Sequence, residues 1–227
     1  MSLRKQAVFG LIWTFSQQFA NQLIGFVVSL ILARILLPSE FGLIAMIAVF
    51  VAIGNGLLDS GLSKSLIRDK EADDADYSTV FIFNLLVGIG VYIITFLAAP
   101  FIGDFYDYPI LTAVVRVYCI GFILTAATSV QFARLTKQLN FKTQTFIAIP
   151  SAMIGGIIGI ALALNGYGVW SLVYSSLSSS IISAGLIWKF SGWKPSLKFD
   201  YPRFKKHWDY GYKLGIADLL NRIFNNL

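Results

Sequence analysis

Long apolar runs separated by short polar breaks recur along the chain. They predict six membrane-length helices, at about 8–32, 41–58, 80–102, 110–132, 146–164 and 169–188, since roughly 20 apolar residues suffice to cross hydrocarbon. The breaks carry helix-ending chemistry. Pro38-Ser39 opens the second span and Asp59-Ser60-Gly61 closes it, Pro100 and Gly103 stand near the end of the third, and Asn165-Gly166-Tyr167-Gly168 is a tight turn. Lys64 to Asp76, including Asp73-Asp74-x-Asp76, reads as a charged, solvated loop. The fold class is therefore an all-α polytopic membrane protein. Residues 1–190 form a six-span lobe, 191–209 a basic interfacial linker, and 210–227 a truncated first helix of a second lobe.

The first span departs from plain apolarity. Thr14, Gln18, Asn21, Gln22, Gly25 and Ser29 step by three and four, so they share one face of a helix. An amide without a partner in hydrocarbon costs on the order of several kcal/mol. This face borders either neighbouring helices or a wet cavity. The polarity recurs 200 residues on, where Asp218, Asn221, Arg222 and Asn225 correspond to Gln18, Asn21, Gln22 and Gly25. Internal repeats with a substrate site at their interface are a common transporter plan.

Small and hydroxylated residues mark two more spans. Ser151, Gly155, Gly159 and Ala163 recur every fourth position in the fifth, a ladder that lets two helices approach closely. The sixth holds Ser175, Ser176, Ser178, Ser179, Ser180 and Ser183 on too many faces to line one groove, and these are read as packing residues.

Composition agrees: the 227 residues are 56% hydrophobic and only 13% charged, with a mean hydropathy of +0.70. The net charge of +6 changes meaning once its distribution is seen. Fifteen of the 18 lysines and arginines fall at the N-terminus, between spans two and three or four and five, or after span six. Only Arg34 and Arg116 lie toward the other side, and Arg222 falls in the final segment. The positive-inside rule puts the N-terminus and the basic tail in the cytoplasm, with anionic headgroups and no nucleic acid as the partners of that charge. Met1 to Lys5 resembles the start of a signal peptide, but the span behind it is too long, is interrupted by amides and lacks a cleavage site. Cys119 is read as a small core residue, and His207, beside Trp208, as interfacial. No metal cluster or cofactor is implied.

Three local patterns carry a family resemblance. Leu32-Ala33-Arg34-Ile35-Leu36-Leu37-Pro38-Ser39-Glu40-Phe41-Gly42 is similar to the LARxLxPxxFG signature of bacterial polysaccharide-export flippases. These are the Wzx-like members of the polysaccharide transporter family, within the superfamily that also holds multidrug MATE transporters. Asp59-Ser60-Gly61-Leu62-Ser63 with Leu66-Ile67-Arg68 resembles that family's DxGL…LI(R/Q) segment, and Gly166-Tyr167-Gly168-Val169-Trp170-Ser171-Leu172-Val173 its GxGVWxLV turn. The resemblance implies the N-terminal lobe of a MATE-like two-lobe transporter in the bacterial inner membrane. It implies that undecaprenyl-diphosphate-linked oligosaccharide is flipped by alternating access for surface polysaccharide biosynthesis. The implied partners are the lipid-linked oligosaccharide, membrane lipids, the second lobe and polysaccharide polymerase machinery.

Such a substrate asks for cations at its phosphates and polar groups at its sugars. The phosphate candidates are Arg34, Arg116 and Arg222, because a guanidinium offers several donors in a fixed plane; snorkelling to headgroups is the other reading of Arg34 and Arg116. Gln18, Asn21 and Gln22 are the candidates for sugar contacts, and Asp59 is the coupling-ion candidate, with a helix-end carboxylate near Lys64 as its plainer account. A cation-coupled multidrug efflux pump and a non-transporting scaffold are the alternatives. An enzyme is not expected, because the outward loops lack a histidine or paired acids at catalytic spacing.

Overall fold

The computed structural model describes residues 3–58 and 61–225, with side chains described for 9–58, 61–213 and 215. Among the described residues the chain forms nine helices and no strand. They are α1 (Leu3–Ile35), α2 (Pro38–Leu58), α3 (Leu62–Arg68), α4 (Asp74–Phe105), α5 (Ile110–Tyr118), α6 (Ile120–Lys137), α7 (Phe141–Leu164), α8 (Val169–Phe190) and α9 (Tyr201–Asn225). Six stretches are long and apolar enough to cross a membrane, α5 and α6 counting as one interrupted only at Cys119. The molecule is thus an all-α polytopic membrane protein.

Polar caps extend the helices past the apolar windows. α4 starts at Asp74 because Asp73 accepts hydrogen bonds from the N–H groups of Ala75 (3.0 Å) and Asp76 (3.1 Å), while Asp76 accepts one from the N–H of Asp73 at 3.0 Å. Such a reciprocal capping box satisfies donors that a helix start leaves bare. α7 starts at Phe141, where Asn140 accepts from the N–H of Thr143 at 3.2 Å.

Helix contacts are set by small residues. A Cβ at Gly155 would lie 2.7 Å from the carbonyl oxygen of Ser175, and one at Gly159 would lie 2.7 Å from the Ser175 Cβ. Ser179 Oγ also donates to the Ser151 carbonyl at 2.7 Å, so the small-residue ladder of α7 is its seam with α8. On another side of α7, Gly156 faces Val28 of α1, Trp13 packs on Phe146 with ring centroids 5.9 Å apart, and Leu32 and Leu36 bury with Ala163. The main apolar core lies between α2, α4, α5, α6 and α8, around Ile47, Val91, Leu111, Val114, Phe122 and Val173. Two of the sequence signatures meet at one end. The Glu40 carboxylate accepts from the N–H of Leu37 at 2.8 Å, and Gly168 packs so closely on it that a Cβ there would fall 2.2 Å from Glu40 Oε1.

The opposite, basic end differs from the sequence reading in two ways. The stretch read as a solvated loop opens with α3, whose Leu62 and Leu66 are fully buried. Two leucines one turn apart are too short a signal for a hydropathy window, yet they suffice once α4, α6 and α9 close over them. The last helix begins at Tyr201 rather than near Tyr210, so Arg203, Lys205 and Lys206 of the linker and the apolar residues after them share one helix, packed on α3, α2 and α4.

Candidate functional site

α1 packs mainly on α7 and is otherwise open. Thr14, Gln18, Asn21, Gln22, Gly25 and Ser29 line one open groove of about 1020 Å3, joined by Gln17, Phe19 and Phe26 of α1 and by Phe141 and Gln144 of α7. Gln18 and Gln22 are exposed. The Asn21 Oδ1 atom is buried and has no hydrogen-bond donor. Gln144 donates to Thr136 at 3.0 Å, and Thr145 Oγ1 lies 3.4 Å from Gln17 Oε1, so the α7 wall is held by its own bonds. Among the described residues no acidic or basic side chain lines the groove. It offers amides as donors and acceptors between aromatic rings, a surface suited to neutral, hydroxyl-rich ligands. Sequence reasoning missed Phe141 and Gln144 because it began the fifth span near residue 146, though the pair, one turn apart at a helix start, was an available signal; it passed over Gln17, which stands three residues after Thr14 and four before Asn21.

Two smaller cavities continue this polar surface. One of about 400 Å3 is lined by Asn21, Thr125, Thr128, Ser129, Ser180 and Ser183, among others. The next, about 160 Å3, shares Thr125 and Ser180 and adds Asn55, Tyr118 and Ser176. The serines read together as packing residues therefore divide. Ser175 and Ser179 meet the α7 glycines, and Ser179 together with Ser176, Ser180 and Ser183 also lines cavities.

Arg34 and Arg116 do not line the groove. Arg34 is exposed in the last turn of α1, about 18 Å along the helix from Gln22 at 1.5 Å per residue. Arg116 sits over the Phe96 ring, 4.3 Å from its centroid, with Nε 3.4 Å from the Phe96 carbonyl oxygen. Arg222 belongs to α9, but its side chain lies outside the described residues, as do those of Asp218, Asn221 and Asn225. Asp59 and Ser60 lie outside them altogether.

A second polar cluster lies at the basic end, where the sequence reading placed only solvated charge. His207 is buried, 1% exposed, rather than interfacial. Its Nδ1 is 2.9 Å from Ser65 Oγ, and its Nε2 is 3.3 Å from Asp76 Oδ1, close enough for an ion pair though not aligned as a hydrogen bond. Asp76, 2% exposed, also meets Arg203 at 3.0 Å; the same guanidinium reaches Asp73 and lies 3.4 Å from Asp200. Lys206 Nζ is 2.6 Å from Asp69. The bond from Lys206 holds the Asp69 carboxyl below its ordinary value and raises the ammonium in turn. The backbone N–H of Asp76, then Arg203, does the same for Asp73. Here the charged groups lie against partners of opposite charge, as buried charge requires, while His207 Nε2 and the buried Trp193 Nε1 make no hydrogen bond. Cys119 is buried in the main core, and no cluster of metal-ligating side chains occurs among the described residues.

Six membrane-length helices with an amide-lined groove on the first define a multi-pass α-helical membrane protein. Residues 31–227 match the family model described as polysaccharide biosynthesis protein, and the chain belongs to that family. It is 24% identical over its whole length to the lipopolysaccharide biosynthesis protein WzxC of Escherichia coli (strain K12), of which it covers 46%. It is 26% identical over 78% of its length to the succinoglycan biosynthesis transport protein ExoT of Rhizobium meliloti (strain 1021), covering 36% of that protein. Identity is again 26%, over the whole chain, to the teichuronic acid biosynthesis protein TuaB of Bacillus subtilis (strain 168), of which 47% is covered. The chain thus spans less than half the length of these curated relatives. No solved structure is a significant match.

Proposed function

We propose that this bundle is one lobe of a carrier that flips an undecaprenyl-diphosphate-linked oligosaccharide across the bacterial inner membrane by alternating access. Its basic end and N-terminus face the cytoplasm, and residues after 190 lead into a second lobe that closes the groove. Family membership and relatives named for polysaccharide biosynthesis and transport support this reading. The observation that carries it is the open groove in which Gln18, Asn21 and Gln22 lie side by side on a membrane-length helix. Amides left unpaired at membrane depth are costly unless water or a ligand satisfies them. Among the described residues no charge lines the groove, which suits the sugars; the diphosphate is left to Arg34, Arg116 and Arg222. Polysaccharide polymerase machinery is the expected downstream partner. A cation-coupled drug pump would call for an acidic side chain in the groove, and none lines it among the described residues.

The test is the combined substitution of Gln18, Asn21 and Gln22 by leucine in the complete protein. Stability should stay within about 0.5 kcal/mol of wild type, as for exposed positions, while surface polysaccharide falls at least about tenfold, the loss expected when 1.4 kcal/mol or more of binding is removed. Normal polysaccharide display at normal protein level would refute the assignment.

A further inference from the structure

The basic face of α9 is spaced to enter the acidic cluster. Arg203, Lys206 and His207 step by three and one, so they share a helix face. That face meets Asp69, Asp73 and Asp76, the carboxylates at the end of α3 and the start of α4. On the adjacent face Phe204 packs on Phe83 of α4 at 4.8 Å between centroids, and Trp208 packs on the same ring at 5.5 Å. The chain leading into the helix is tied down as well. The N–H of Ser196 donates to Ser78 Oγ at 3.0 Å, that of Asp200 donates to Thr79 Oγ1 at 3.3 Å, and Trp193 is 4% exposed. Finally Gly211 touches the backbone of Gly61 so closely that a Cβ at Gly61 would lie 2.0 Å from the Gly211 carbonyl oxygen.

We propose that residues 201–211 are a latch. The first turns of α9 are docked into a socket built by α3 and the N-terminus of α4 and move as one body with the six-span bundle. Whatever chain follows α9 is then coupled mechanically to α2, α3 and α4, whereas among the described residues α1, the helix that carries the groove, packs mainly on α7. Opening the latch would expose Leu62 and Leu66 and separate three carboxylates, Asp69, Asp73 and Asp76, from their partners on α9, so the closed form is strongly preferred. This inference rests on contacts within the described residues and is independent of what the groove binds.

Hydrogen exchange of the full chain in lipid nanodiscs tests it. Amides of 201–211 should exchange at least tenfold more slowly than unprotected peptide, matching those of α3. The substitutions Asp76→Asn and His207→Leu should accelerate both segments together by at least tenfold and leave α7 and α8 unchanged. Because Asp76 also caps α4, the exposed pair Arg203→Gln and Lys206→Met provides a milder opening, expected to speed 201–211 two- to fivefold. A cysteine at Ser65 in a Cys119→Ala background should resist N-ethylmaleimide until the latch is opened by the Arg203 and Lys206 substitutions. Unprotected amides at 201–211 in the wild type would overturn the proposal, as would exchange and thiol labelling that ignore all of these substitutions.

Discussion

Along α1, Gln18 and Gln22 stand exposed in an open groove, whereas at the other polar centre Asp76 and His207 are buried and each meets two polar partners. The residues in the groove are uncharged and their wall belongs to two helices; those at the latch are charged and drawn from α3, α4 and α9. The difference separates architecture from function. Charged groups paired across helices hold the bundle together. Polar groups held open by a helix that packs on only one side keep spare capacity for a ligand.

Breaking the comparison at its strongest point means removing Asp76. Asp76→Ala deprives Arg203 and His207 of a buried partner and opens the capping box of α4, with an expected loss of about 3–5 kcal/mol, against about 0.5 kcal/mol for leucines in the groove. Denaturant titration of the detergent-solubilised protein, followed by tryptophan fluorescence, measures both; equal losses would erase the distinction.

Next comes Gly61→Ala. With φ at +71° and the Gly211 carbonyl in the way, it should cost roughly 1–3 kcal/mol, whereas Gly25→Ala, where a Cβ meets nothing within 4 Å, should leave the melting temperature nearly unchanged.

Acid sharpens the comparison most gently. Asp69 and Asp73 have carboxyl pKa values below their ordinary 3.8 when folded, so their contribution is fully present above that value. It is lost as pH falls through the lower folded value. Exchange at 201–211 should therefore rise below about pH 4, by the equivalent of about 1 kcal/mol or less for such partly exposed pairs. The groove, with no titratable lining side chain among the described residues, should show no change over the same range. In Lys206→Ala the acid dependence should shrink.

Much of this was legible in the chain. Hydropathy found all six spans, and three short motifs pointed to the family that residues 31–227 match. The step of three and four placed Thr14 to Ser29 on one face, and those six side chains do share one groove. Caps hid the true starts of α4 and α7, since Asp73 and Asn140 extend a helix with polar residues that a hydropathy window rejects. The serines of α8 were misjudged as a set because helical spacing alone does not say which neighbour each face meets.

His207 shows where local pattern stops. A lone histidine beside a tryptophan in a basic stretch looks interfacial, yet its partners are Ser65, 142 positions earlier, and Asp76 in what read as a loop. The sequence by itself determined which segments cross the membrane and which face of α1 is polar, because hydrophobicity and helical period are properties of neighbours along the chain. Only the tertiary structure decided which polar residues are paired and which are left open, because pairing depends on segments that meet only when the helices pack.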